Sequence, residues 1–322
     1  MNTAQPLVSI IIPAYNCHAY IGEALNSVLN QDYPHKQIIV VNDGSTDATM
    51  QVLQAFGDRI DIVDQHNQGP AAARNTGLDK ARGSYVSFLD GDDIWCPGKL
   101  TAQVDYLQEH HQVGMVFSNW NVWYPSAGGV FAQADRGCQE PAAHPVVEEA
   151  LCGWIYTDLL LDCVVHTITA MIRAEVVEKV GRFDTTLLCG EDYNYWLRVS
   201  RITPIHKLRP ILAAYRHHGG NITAKPKPID YEYEVIERAV QSWGLAGPQG
   251  GKPLPKQAYQ QRMAALSFSY GYSHFWHGSA ASAKQGFQRC LHHDAGNRKA
   301  RWYRRLSGLK SSLQSWLPFG NR

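Results

Sequence analysis

The sequence predicts an α/β fold: a mostly parallel sheet flanked by helices, with a C-terminal helical extension. Three observations predict it. Apolar, β-branched runs alternate with helix-period segments through residues 1–110. Each run stops at polar or turn residues, as a strand buried on both faces does. From about residue 226 onward the pattern is helical only.

The elements follow in order. "LVSIIIP" from Leu7 is a continuous apolar strand stopped by Pro13, and "AYIGEALNSVLNQ" sets Ile21, Ala24, Leu25, Val28 and Leu29 at helical spacing. "QIIVVND" from Gln37 is a second buried strand, and "TDATMQVLQAF" a helix with Asp47 as a structural acid in its first turn. "IDIVDQ" from Ile60 is a third strand. "PAAARNTGLDKA" opens a helix with Pro70, and "YVSFLD" from Tyr85 is the fourth strand. "GMVFSNWNVWY" predicts one or two strands, and the Gly-, Pro- and Ala-rich 125–150 a loop. "TITAMIRAEVVEKVGRFD" predicts a strand and a short helix closed by Gly181. "CGEDYNYWLRVS" starts a helix with acids in its first turn. A helix at about 230–243 lies between Pro/Gly stretches, and 255–316 is helical. The divisions are 1–110, 111–225 as the other half of the same domain, and 226–322 as the extension.

Composition bounds the function. Hydrophobic residues make up 44%, charged residues 18%, and the net charge is +1, which describes a soluble globular chain with no charge excess suited to nucleic acid. The run from Leu7 to Ile12 is too short for a signal h-region or a membrane span. Seven scattered cysteines without a C-x-x-C pair predict reduced thiols, a cytoplasmic setting and no zinc site.

In a parallel α/β sheet, ligands bind at the carboxyl ends of strands. There this chain places Pro13-Ala14-Tyr15-Asn16, Asn42-Asp43-Gly44-Ser45 and Asp90-Gly91-Asp92-Asp93. Unpaired buried carboxylates cost several kcal/mol each, so three within four positions need a partner. A divalent cation is one, since Mg²⁺ and Mn²⁺ take oxygen ligands, often one or two carboxylates plus substrate phosphates. The bland alternative is a helix N-cap ahead of "CPGKLTAQVDYL".

"VSIIIPAYN", "VVNDGSTD", "QGPAAARNTGL", "VSFLDGDD" and "GEDYNYWLR" occur in that order, and together they resemble family 2 glycosyltransferases over about residues 7–220. The resemblance implies a GT-A fold and an inverting transferase that uses a nucleotide-diphosphate sugar, with UDP as the expected nucleotide. It makes 1–110 the donor half and 111–225 the acceptor and base half. It implies that Pro13, Ala14 and Tyr15 wall the nucleoside, that Asp43 accepts from the base, and that Gly69 and Arg74 close on the nucleotide. Asp90 and Asp92 match the Asp-x-Asp that binds metal and diphosphate, and His218 in "AAYRHHGGNIT" a diphosphate or metal contact. The cofactor implied is Mn²⁺ or Mg²⁺. The family often has two acids before Gly-Ser, whereas here the first is Asn42. The structural alternatives are that Tyr15 covers the sheet edge, Asp43 caps a turn, and Arg74 pairs with a nearby acid.

Transfer to a hydroxyl needs a proton acceptor opposite the leaving diphosphate. Glu191 and Asp192 sit side by side at a helix start and point about 100° apart, so one faces the site. The family's Glu-Asp motif implies Asp192 as base and Glu191 as an orienting acid. Trp196, one turn on, is either an acceptor wall or core.

No G-x-G-x-x-G or G-x-x-x-x-G-K-[ST] occurs, and "PAYNCHAY" is not the Gly-rich, Arg-containing loop of a sugar-nucleotide nucleotidyltransferase. A non-catalytic carbohydrate- or partner-binding module would be expected to lack the base or the metal acids. Neither a Gln-x-x-Arg-Trp segment nor several membrane helices mark a polymer synthase, so single addition to a glycan, glycolipid or lipid-linked acceptor of cell-envelope polysaccharide synthesis is expected. At 298–317, Arg298, Lys299, Arg301, Arg304, Arg305 and Lys310 combine with Trp302, Leu306, Leu309, Leu313, Trp316 and Leu317. That pattern fits a helix lying on the inner face of the membrane or one packed on the protein.

Overall fold

The computed structural model describes residues 5–139, 146–221, 226–248 and 253–316. Apart from a short return of the chain at Gly247, they divide into two compact units, one reaching His218 and the other beginning at Gly219.

The first unit opens with β1 (Val8–Ala14), α1 (Ile21–Leu29), β2 (Lys36–Asp43), α2 (Thr49–Gln54), β3 (Asp61–Gln65), α3 (Pro70–Lys80) and β4 (Tyr85–Phe88). All of β1 but Pro13 is buried, as expected of a strand covered on both faces. Helix α1 buries Ile21, Ala24, Leu25 and Val28, the i, i+3, i+4, i+7 stripe that faces a core. Helix α2 begins later than its pattern suggests, because Thr46 and Asp47 are used by the loop before it. The Thr46 amide donates to Asn16 Oδ1 at 2.8 Å, and Asp47 Oδ1 accepts from the Thr49 amide at 2.9 Å.

Then come β5 (Ile94–Trp95), α4 (Lys99–Glu109), β6 (Met115–Trp123), β7 (Val147–Gly153), α5 (Tyr156–Leu161), β8 (Met171–Arg173), α6 (Ala174–Val180), α7 (Glu191–Val199) and β9 (Ile205–Arg216). One sheet runs β3-β2-β1-β4-β8-β6-β9-β5, with β7 on β9. The β3-β2-β1-β4 half is parallel throughout. Beyond β4 only β6–β9 is parallel, while β4–β8, β6–β8, β5–β9 and β7–β9 are antiparallel. Strand β7 falls partly in the segment read as loop; it is half-exposed and lacks a clean alternation.

The expectation of reduced cysteines is corrected: Cys96 and Cys138 form a disulfide. A separation of 42 residues hides the pair in the sequence. Strand β9 brings it together, because the Cys96 amide donates to the Leu212 carbonyl at 2.9 Å and the Gln139 amide to that of Ile211 at 3.2 Å. The other five cysteines are not disulfide-bonded.

The second unit contains α8 (Tyr231–Trp243), α9 (Lys256–His277), α10 (Ala280–His293) and α11 (Arg298–Trp316). Ala264, Ala283, Phe287, Cys290 and Ala300 form its core, with Phe268 and Tyr303 packed on it. Helix α11 therefore packs through Ala300, Tyr303 and Ser307, while Trp302 and Leu309 stay exposed at 55% and 63%. Leu317, and the side chains of Lys310, Leu313 and Trp316, lie outside the described residues. No described helix is long and apolar enough to cross a membrane.

Lys99 is wholly buried at the start of α4. Its Nζ donates to Gln103 Oε1 at 2.7 Å and Ser87 Oγ at 3.2 Å, and lies 4.0 Å from the centre of the Trp95 ring. Burial pushes its pKa well below the usual lysine value, so the unfolded chain binds the proton that the native state releases. Stability then rises with pH from the depressed native pKa up to the unfolded value near about 10.4. Urea unfolding at pH 7 and pH 9 should show this rise in the parent, by up to about 1.4 kcal/mol per pH unit, and a flatter response in Lys99→Met. Equal slopes would mean that Lys99 is charged in the native state.

Candidate active site

The carboxyl ends of β1, β2 and β4 meet where the sequence placed its polar loops. After β1, Pro13 is half-buried, Ala14 buried, and Tyr15 51% exposed. Asn16 has φ 48°, a left-handed conformation that Asn tolerates better than most residues. Its amide donates to Ser45 Oγ at 3.0 Å, and its Oδ1 accepts from the Thr46 amide. The loop carrying Tyr15 is thus tied to the loop after β2. Asn16 bore no assigned role in the sequence.

Asp43 is buried at the end of β2. Its Oδ1 accepts from Gln65 Nε2 at 2.7 Å and the Gln68 amide at 2.9 Å, and its Oδ2 from the Gly69 amide at 2.8 Å. Gly69, at φ 87°, caps α3. One carboxylate therefore fixes the "QG" turn, with lone-pair capacity left over. Asn42 explains its own departure from the family pattern: its Nδ2 donates to Asp64 Oδ1 at 2.6 Å. An acid there would oppose Asp64 with like charge. A pocket of about 470 Å³ opens beside these residues, lined by Asn42, Gly44, Ser45, Met50, Asp64, Gln65 and His66.

The knot of carboxylates after β4 separates into three environments. Asp90 Oδ1 accepts from Arg74 at 2.6 Å. Asp92 Oδ2 lies 3.0 Å from His218 Nε2, whose ring stacks at 4.6 Å on Tyr20. Asp93 is wholly buried, and its Oδ1 accepts from the Arg216 amide at 2.7 Å. Burial, reinforced by Asp92 and Asp90, pushes the Asp93 pKa well up, against the pull of Arg216. Arg216 also donates from Nε to the Asp92 carbonyl at 2.7 Å and from Nη2 to Glu23 at 2.6 Å. Gly91 is needed for space: a Cβ would sit 3.0 Å from Cys17 Sγ and 3.1 Å from the Pro13 carbonyl.

Arg74 lies beneath this loop, not on the surface. Its side chain is 5% exposed and bonds Asp90 Oδ1 and, at 2.7 Å, Glu191 Oε1. Burial works against the guanidinium charge, but Asp90 and Glu191 outweigh it and keep the side chain protonated. Glu191, at the first turn of α7, is buried; burial and Asp192 push its pKa up while Arg74 opposes them. Asp192, the next residue, turns elsewhere and is half-buried, with Oδ2 accepting from Thr167 Oγ1 at 2.7 Å. Trp196 is fully buried and packs on Phe88 and Phe183, so it belongs to the core and is no acceptor wall.

Thr167 and His166 carried no sequence assignment. Their only signal is a polar pair ahead of an apolar run. His166 packs at 4.6 Å on Trp120 and 5.2 Å on Tyr215. Burial lowers its pKa, against the pull of Asp90 and Asp192.

The acids fit a divalent cation held jointly with a diphosphate. Arg74 and His218 each take one oxygen of Asp90 and Asp92, leaving Asp90 Oδ2 and Asp92 Oδ1 without a hydrogen-bond partner among the described residues. Among those residues no three His, Cys, Asp or Glu side chains form a complete cage. That suits an ion completed by substrate phosphates and water.

The model of glycosyl transferase family 2 matches residues 9–124. The chain is 44% identical over 247 residues to TuaG of Bacillus subtilis, a putative teichuronic acid biosynthesis glycosyltransferase, covering 74% of this chain and 91% of that protein. It is 31% identical over 236 residues to an uncharacterized glycosyltransferase of Rickettsia prowazekii, covering 73% and 71%. Among solved structures it resembles S. aureus TarS in complex with UDP-GlcNAc, with a TM-score of 0.62 at 20% identity over 94% of this chain and 89% of that one. It also resembles the mannosyltransferase PcManGT of Pyrobaculum calidifontis in complex with GDP-Man and Mn²⁺, with a TM-score of 0.56 at 20% identity over 98% and 82%. At these identities the structural likeness is one of fold, the GT-A type.

Arg74→Met would leave two acids facing each other around an apolar side chain. Breaking a buried ion pair from one side costs about 3–5 kcal/mol, and chemical denaturation should show a loss of that order. Adding Glu191→Gln should recover part of it, on the order of 1 kcal/mol. Strict additivity would mean that Arg74 and Glu191 do not interact.

Proposed function

The chain belongs to glycosyl transferase family 2, and we propose that it moves a sugar from a nucleotide-diphosphate sugar to a glycan hydroxyl with inversion at the anomeric carbon. One observation carries this reading. Arg74 bonds Asp90 and Glu191 at once, so the acids of the donor side are coupled to the helix that bears Asp192.

On this reading Pro13, Ala14 and Tyr15 wall the nucleoside. Asp43 holds the loop before Gly69 and offers its remaining lone pair to the base, while Arg74 acts through Asp90. Asp90 and Asp92 would hold Mn²⁺ or Mg²⁺, with His218 beside Asp92. A bound cation would neutralise charge on the departing diphosphate. Asp192 takes the proton of the acceptor hydroxyl as that oxygen bonds the anomeric carbon. The bond from that carbon to the diphosphate oxygen breaks, and its electron pair leaves with the nucleoside diphosphate. Thr167 orients Asp192 through the bond to Oδ2. Glu191, buried on Arg74, positions the helix and not the acceptor.

UDP as the nucleotide is supported by the likeness to TarS bound to UDP-GlcNAc. A cell-envelope polysaccharide, free or lipid-linked, is supported by the relative named for teichuronic acid biosynthesis. Contact with the inner face of the membrane is supported by exposed Trp276 and Trp302, at 55% each, and exposed Arg298, Lys299, Arg301 and Arg305 in the helical unit. Basic residues beside exposed aromatics fit an anionic lipid surface.

Asp192→Asn keeps the shape of the side chain and removes the base. Turnover should fall about 10²–10⁴-fold, while calorimetric affinity for UDP with Mn²⁺ stays at the parent value. Excess chelator should weaken UDP binding in both proteins. Near-parental turnover of Asp192→Asn would move the base elsewhere, and a product retaining the donor's anomeric configuration would overturn single displacement.

Cosedimentation with phosphatidylglycerol vesicles should exceed that with phosphatidylcholine. Reversing Arg298, Arg301 and Arg305 to Glu should lower it about tenfold or more, since each basic residue near such a surface contributes about 1 kcal/mol. Unchanged sedimentation would leave α11 as a packing helix only.

A further inference from the structure

Beside Asp192 lies an aromatic cluster of which only Tyr215 falls in a family-like segment, "AAYRHHGGNIT". Trp120 pairs with Ala213 across the β6–β9 ladder, and Val122 pairs with Tyr215. Side chains two apart on a strand share a face, so Trp120 and Tyr215 project from the same side of the sheet. The ring centres are 6.1 Å apart, and the His166 ring packs on both, at 4.6 Å from Trp120 and 5.2 Å from Tyr215. Tyr215 packs against the core from its edge, and Trp120 stands clear of it. The next strand residue but two, Trp123, is wholly buried, whereas Trp120 is 37% exposed.

The cluster is also attached to the reacting end of the site. His166 precedes Thr167, whose hydroxyl holds Asp192 Oδ2 at 2.7 Å. Asp90, Asp192, Arg74 and Asp92 lie close enough to act electrostatically on the His166 ring. His166 Nδ1 is buried and has no hydrogen-bond partner among the described residues.

We propose that Trp120, His166 and Tyr215 form the acceptor subsite. There a pyranose ring lies on the exposed face of Trp120 and a hydroxyl next to it is presented to Asp192. An aromatic ring offers an apolar face to the C–H groups of a sugar, and the polar neighbours fix its orientation. Such a platform selects a pyranosyl acceptor terminus over an acyclic polyol, because only the ring presents a flat apolar face. Trp120 then determines acceptor specificity, while the donor is held by other residues. This rests on the transferase reading above, in which Asp192 is the base.

The test uses the full chain with UDP and Mn²⁺ and a mixture of methyl glycosides of common hexoses and N-acetylhexosamines, with sorbitol and ribitol as acyclic controls. Saturation-transfer NMR should show binding of at least one glycoside and neither polyol. Trp120→Ala should reduce that signal about tenfold or more, Trp120→Phe should restore most of it, and calorimetric UDP affinity should match the parent in both. A parental glycoside signal in Trp120→Ala overturns the proposal. So does a parent chain that binds no glycoside, or one that binds the polyols equally well. Failure of the parent to bind UDP would instead remove the donor reading, with the glycoside result read separately.

Discussion

The site depends on one buried cation. Arg74 lies under the carboxyl edge of the sheet and holds Asp90 with one nitrogen and Glu191 with another. Without it, Asp90 and Glu191 would lack their counter-charge, Glu191 in a buried position. The pair would then have to be protonated or exposed to water. Because the guanidinium is a rigid planar fork, it also sets the distance between the loop after β4 and the start of α7. Asp90 and Glu191 lie 101 positions apart in the sequence, and this contact joins them.

The remaining acids are handled differently. Burial and its acidic neighbours push the Asp93 pKa well up, and its Oδ1 secures the backbone of Arg216. Arg216 in turn holds the Asp92 carbonyl, Glu23 and the face of Tyr20. Asp92 is left 28% exposed beside His218. Of the three carboxyls at this strand end, one is paired to Arg74, one lies beside His218, and one is wholly buried.

Much of this was legible in the sequence. The buried runs that became β1, β2 and β4 and the period of α1 follow from local pattern, because each must hide apolar side chains whatever its neighbours. That the Asp-x-Asp residues follow a strand and the Glu-Asp pair opens a helix was legible because strand ends and helix starts are local features. Asn42 was visible as a departure, but its reason, Asp64 on the adjacent strand, was not. The Cys96–Cys138 bond and the β5 and β7 ladders were also missed, since all are brought together on β9, which arrives more than fifty residues later in the chain.

The sequence by itself determined the α/β class, the parallel half of the sheet, the order of the site loops and which residue types stand at the strand ends. These follow from hydrophobic period and turn chemistry, which act over a few residues. Tertiary structure alone decided how each charge is used. It put Arg74 beneath the surface, buried Asp93, joined Glu191 to Arg74 and Asp192 to Thr167, and gathered Trp120, His166 and Tyr215 around one another. Burial and long-range contact set the protonation and direction of a side chain, and neither is a property of its neighbours in sequence.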